Sequence, residues 1–200
     1  MVVVLAIISI ITAVIINGQS TYNRSLILTD TAYTVAYSVR QAQSLGLSSR
    51  ATAGSANAGY GIRFYQAQNY SIFADTTNAL AAPSSSWCSL GTPGTPEAKP
   101  GNCRYDAADV TFRTYSLSRG FTISDYCGKN GTASLDCNPA SLTITFMRPD
   151  ARAIIVGESA TQAGTVYTCA EIHVTAPGNA ATRIVRVSQL GEISVGQTCP

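Results

Sequence analysis

The chain opens on a run with no charge at all, Met1 to Ile16, reading MVVVLAIISIITAVII. Ser9 and Thr12 are its only polar interruptions, and the first charged side chain is Arg24. As a helix this run rises about 24 Å, short of the roughly 30 Å hydrocarbon core of a bilayer. No basic segment precedes it and no small-residue cleavage site follows, which argues against a secretory signal. It is apolar on every side, which argues against a core helix of a small soluble domain. The expected environment is a membrane or the core of an oligomer. The residues that would carry that contact are Met1, Val2, Val3, Val4, Leu5, Ala6, Ile7, Ile8, Ile10, Ile11, Val14, Ile15 and Ile16.

Asn17-Gly18-Gln19-Ser20 weakens the helix without ending it. Asn17 and Gly18 are the expected point of flexibility, since Gly in a helix interior costs about 1 kcal/mol. The helical pattern then resumes. Leu28, Ala32, Val35, Val39 and Ala42 recur at spacings of four and three, one face of a helix. Tyr22, Leu26, Tyr33 and Tyr37 lie on the opposite side. Gly46 reads as a stop signal. One helix from near Met1 to about Leu45 would be roughly 67 Å long. Its first stripe can cover the chain's own sheet, and its second then needs a partner.

Beyond Gly46 the period changes from helical to alternating. Tyr60–Tyr65 and Tyr70–Phe73 read as a hairpin. Val110–Leu117, Phe121–Ser124, the pair Leu142–Met147 and Ala153–Val156, Val166–Val174, Ile184–Val187 and Gly191–Val195 read as further strands. Pro83, Pro93, Pro96 and Pro100 mark a surface loop. The expected organisation is a helix over 1–46, apolar through 1–23 and amphipathic through 24–46, followed by an antiparallel β domain over 47–200. That is an α+β arrangement.

Composition sharpens this. Charged residues make up only 12% of the chain and the net charge is +2, which excludes a disordered polyelectrolyte. Residues 1–50 hold three arginines against one aspartate; the other ten basic and ten acidic side chains cancel. A neutral β domain does not carry a broad nucleic-acid field. The six cysteines, Cys88, Cys103, Cys127, Cys137, Cys169 and Cys199, all fall in the β part, with no C-x-x-C. That usage points to disulfides and an oxidising compartment. Six cysteines allow 15 connectivities; sequential pairing, Cys88–Cys103, Cys127–Cys137 and Cys169–Cys199, is the simplest.

One histidine leaves little room for catalysis or metal binding. His173 and Glu171 share a strand face by alternation, but no nucleophile motif accompanies them. Asp106 and Asp109 could form half a calcium site, without the D-x-D-x-D-G loop that would complete it. No catalytic residue, metal or cofactor is expected.

MVVVLAIISIITAVI, continued by Ala36-Tyr37-Ser38-Val39-Arg40-Gln41-Ala42-Gln43, resembles the N-terminal helix of the type IV pilin-like superfamily. The strands around Tyr60–Phe64, Tyr70–Phe73 and Arg183–Arg186 resemble those of its GspH/FimT-type minor pilins and pseudopilins. The family's peptidase site and the glutamate after it have no counterpart, so an incomplete N-terminus is expected. The resemblance implies a pilin fold, a long N-terminal α-helix packed on an antiparallel β-sheet domain. It implies a structural subunit of a type IV pilus filament, held in the inner membrane before assembly and displayed on the cell surface afterwards. Its partners would be further copies of itself or other pilin subunits. The alternatives are a type II secretion pseudopilin, or a minor pilin binding DNA during uptake. In the last case Arg183 and Arg186, read as sharing one strand face, would contact phosphates.

Overall fold

Five of the small and branched side chains that repeat along the helix, Leu28, Ala32, Val35, Val39 and Ala42, are each 1% exposed or less. They form the seat of the molecule. A computed structural model of the chain describes residues 2–48, 58–77, 101–137, 139–148, 150–159 and 162–200. The helix, α1, is Val2–Leu47; side chains at 14–21 are outside the description, as are those of residues 150, 159, 162 and 163. Asn17 and Gly18 therefore lie within α1 but their side chains are not described.

Ten strands follow: β1 (Gly59–Phe64), β2 (Asn69–Asp75), β3 (Val110–Ser116), β4 (Thr122–Lys129), β5 (Ser141–Met147), β6 (Asp150–Ser159), β7 (Gln162–Tyr167), β8 (Cys169–Thr175), β9 (Thr182–Ser188) and β10 (Ile193–Val195). They form two antiparallel sheets, one of six strands ordered β3-β2-β1-β5-β6-β7 and one of four ordered β10-β9-β8-β4. Apart from α1, the only helical segment among the described residues is a 3-10 turn, Pro177–Asn179.

This corrects the expected α+β pilin fold. The body is mostly β and has two layers, so it is not a long helix lying on one small sheet. The physical reason lies in the strands. Every residue of β5 is buried, and β1 is buried throughout except at Arg63. Strands buried on both faces need cover on both. Of α1, the residues that join the core begin at Ile27. Its hydrogen bonds reach both layers: Ser38 Oγ lies 3.1 Å from Tyr70 Oη, and Tyr115 Oη donates to Gln41 Oε1 at 2.6 Å. Arg40 donates to the Ile193 carbonyl at 3.3 Å and Gln43 to that of Gly191 at 3.1 Å. One apolar core holds α1 and both sheets together.

Several expected elements stand as read. β1 and β2 pair as a hairpin, and so do β5 and β6. Others change. Val166–Val174, read as one strand, is broken at Thr168 into β7 and β8, which lie in different sheets. Thr168 donates its N–H to Lys129 and its carbonyl accepts from Gln189, so the corner is paired. Gly46 does not stop the helix. It is buried inside the last turn, where a Cβ would stand 2.4 Å from the Phe146 carbonyl oxygen. Its lack of a side chain lets α1 approach β5.

Candidate assembly surface

Where its side chains are described, the apolar half of the helix is exposed. Val2, Val3, Val4, Leu5, Ile7, Ile8, Ile10 and Ile11 are 52–81% exposed, and Ala6 is exposed with them. Met1 lies outside the described residues, as do the side chains of Val14, Ile15 and Ile16. The second stripe behaves the same way: Tyr22, Leu26, Tyr33 and Tyr37 are 51–69% exposed. In the opposing stripe of the same helix every apolar side chain from Leu28 to Ala42 is buried. The two faces read in sequence are thus separated, one seated and one free.

The free face is ordered along the helix. Among the described side chains, Val4, Leu26 and Tyr37 fall at multiples of eleven residues, and so do Ile11, Tyr22 and Tyr33. Eleven residues make about three turns, so such a stripe drifts only about 20° per repeat. It presents a nearly straight seam. Contiguous exposed apolar surface of this extent marks an interaction site in a native protein. Beside the seam, Asp30, Thr34, Ser118, Arg119 and Phe121 line a cleft of about 290 Å³ where α1 meets the turn after β3. Arg119 and Gly120 both have positive φ, 58° and 74°, and Phe121 N–H closes on the Ser118 carbonyl at 3.2 Å. Two successive left-handed residues make a tight reversal. Here it sends the chain from β3 in one sheet to β4 in the other.

Among the described residues no helix is long and apolar enough to cross a membrane.

The disulfide reading is met where the structure describes it. Cys127–Cys137 and Cys169–Cys199 are formed. Cys103 is disulfide-bonded; Cys88 lies outside the described residues. The Cys169–Cys199 bridge holds the tail over β8 together with Glu171, whose Oε1 accepts the Cys199 N–H at 2.6 Å. Glu171 Oε2 meets His173 Nε2 at 3.0 Å. The Glu/His pair on one face was read correctly. Glu171 is 3% exposed and its carboxylate is committed to the tail, so the pair serves as a clasp.

Asp106 and Asp109 hold a loop together. Asp109 Oδ1 accepts from the Thr76 and Thr77 amides at 2.9 and 3.0 Å, and its Oδ2 from the Asp106 amide at 2.7 Å. Nearby Asp75 accepts from the Asn102 and Cys103 amides at 3.0 and 2.7 Å. Burial pushes the Asp75 carboxyl well above the ordinary carboxylate value, the two amides pull it back, and Asp109 and Asp106 raise it again. No cluster of three or more potential metal ligands occurs among the described residues.

Arg183 and Arg186 do not share a face. They are three residues apart on β9, an odd separation, so they point to opposite sides. Arg183 is exposed. Arg186 is held by Glu192 Oε2 at 2.6 Å and sits opposite Glu171 in the register. The expected pair of phosphate contacts is not assembled. One group went unread in the sequence: Arg63, the only charged residue of β1, with Tyr65 and Tyr105 against its guanidinium. A lone arginine inside an otherwise buried strand was the available signal.

No protein-family model matches the chain, and neither the curated proteins nor the solved structures provide a match.

Proposed function

We propose that this protein is a structural subunit that polymerises through α1, in the manner of the pilin-like filaments its N-terminal sequence resembles, with the β body displayed outward. The observation that carries the reading is the exposure of eight large aliphatic side chains between Val2 and Ile11, continued by the Tyr22–Tyr37 seam. Burying what remains exposed of those eight would contribute about 7–14 kcal/mol before the cost of association. That is enough to drive a stable contact, and a single soluble copy has nothing to set against it. A contact between unlike patches on successive copies propagates as an open filament. Other subunits with similar helices would serve as partners equally well, and the inner membrane would hold the helix before assembly. Disulfides fit a final location outside the cytoplasm.

A type II secretion pseudopilus uses the same physics, and filament length separates it from a pilus. The DNA-uptake variant loses its support in the separation of Arg183 from Arg186.

The test is direct. The full chain is purified in mild detergent, the detergent is removed, and the sample is viewed by negative-stain microscopy. Thin filaments are expected. Ile8→Asp with Ile11→Asp should abolish them while leaving the β-type circular dichroism intact. A chain that stays monomeric without detergent overturns the reading.

A further inference from the structure

The outer face of the six-stranded sheet holds two desolvated polar atoms that point the same way. Arg63 on β1 is the direct cross-strand partner of Thr143 on β5. Cross-strand neighbours place their Cβ atoms about 4.5–5.5 Å apart on one face. Arg63 Nε and Thr143 Oγ1 are both buried with no hydrogen-bond partner among the described residues. Thr143 is fully buried. Native structures satisfy nearly all such atoms, and an exception calls for a water, an ion or a ligand.

The surroundings select among these. The Arg63 guanidinium lies 4.4 Å from the Tyr105 ring centroid and 5.1 Å from that of Tyr65. Tyr105 is itself braced edge-on by the buried Phe73. Arg63 is in no ion pair among the described residues. Its charge therefore stands partly desolvated beside two aromatic rings, with no ion-pair partner among the described residues. Its field reaches further: burial raises the Tyr126 phenol above its ordinary value, and Arg63 pulls it back. A guanidinium stacked on aromatic rings keeps its edge, Nε and one Nη, in the fork geometry that a planar or tetrahedral oxyanion accepts. The Thr143 hydroxyl can donate to the same group. A neutral water would meet the hydrogen bonds but leave the charge unpaired.

We propose that Arg63, Thr143, Tyr65 and Tyr105 form an oxyanion-binding site that takes a carboxylate or phosphate group. Arg63 supplies the charge and two parallel donors, Thr143 a third donor, and the tyrosine rings fix the guanidinium plane. The site is remote in sequence from the helix and independent of polymerisation.

The experiment uses the full chain in detergent and follows the Arg63 Nε–H resonance. Sodium phosphate and sodium acetate are titrated separately at constant ionic strength, with sodium chloride as control. A saturable shift with phosphate, acetate or both is expected, and their relative affinities identify the group preferred. Arg63→Lys should weaken binding about tenfold or more, because the fork is lost. Thr143→Val should weaken it severalfold with the fold retained. Tyr65→Leu, at the partly exposed rim, is the companion variant should Thr143→Val fail to fold, with the same weakening expected. No saturable shift with either anion means that a buried water alone satisfies the pair, and this overturns the proposal. So does a shift reproduced by chloride, or Arg63→Lys binding as tightly as the parent.

Discussion

Replacing Gly46 by alanine sets two measurable effects against each other. Alanine is the better helix former by about 0.8–1.0 kcal/mol, and position 46 lies inside α1. On propensity alone the substitution stabilises. The new Cβ, however, would stand 2.4 Å from the Phe146 carbonyl oxygen and 2.9 Å from its carbonyl carbon. Ordinary contact needs about 1 Å more. The obstacle is backbone. β5 is paired on one side with β1 and on the other with β6, so Phe146 cannot withdraw without disturbing both ladders. Overpacking of this kind costs about 1–3 kcal/mol, and the rigid neighbour places it near the top of that range. The net expectation is a loss of about 1–2 kcal/mol, or about 2–8 °C in Tm for a chain of this size. Urea and thermal unfolding with disulfides intact would read it. Ser44→Ala, at an exposed site on the same turn, should stay within about 0.5 kcal/mol. A Gly46→Ala protein as stable as the parent, or more so, would refute the close seating of α1 on β5.

Two further outcomes follow from the loop lengths and from Asp75. Converting both Cys169 and Cys199 to alanine should cost about 3.5–4 kcal/mol, and both Cys127 and Cys137 about 2.5–3, because the bridges span sequence separations of 30 and 10; urea midpoints that reverse this order would sink the loop-entropy account. Asp75 has a folded-state pKa raised by burial, so the folded state binds more protons than the unfolded. Its contribution is whole below the unfolded value near 3.8 and is lost as pH rises toward the folded value. Stability measured in urea at pH 4, 5.5 and 7 should fall along that series, and Asp75→Asn should flatten the slope; an unchanged slope in the variant would assign the fall to other groups.

The helix was legible because its period is local. Leu28, Val35 and Val39 announce a buried face by spacing alone, and the structure buries each of them. Tyr22, Tyr33 and Tyr37 announce the free face as clearly. Hairpins joined by short turns were legible for the same reason. The division into two sheets was not. Val166–Val174 contains no Gly or Pro, and no turn residue marks Thr168 as the corner between layers. The corner is set by partners at Lys129 and Gln189, and pairing of that range leaves no trace in a short window. Gly46 shows a residue whose two meanings, terminator and close contact, look alike until its neighbour is known. Arg183 and Arg186 could have been separated by parity alone. Arg63 could not have been assembled with Tyr105 and Thr143, since each comes from a different part of the chain.

The strand order also bears on how the molecule is made. β4 belongs to the smaller sheet, yet the next three strands of the chain return to the larger one before β8 comes back to pair with β4. Neither layer corresponds to a continuous stretch of sequence. A chain emerging from the ribosome has all six strands of the larger sheet once β7 is made, but β4 waits for its strand partner until β8 is synthesised. β1 likewise has β2 beside it early but must wait for β5 on its other side. The smaller layer therefore closes last, on β8. A copy cut short anywhere between β4 and β8 exposes open strand edges of the kind that pair with the wrong chain.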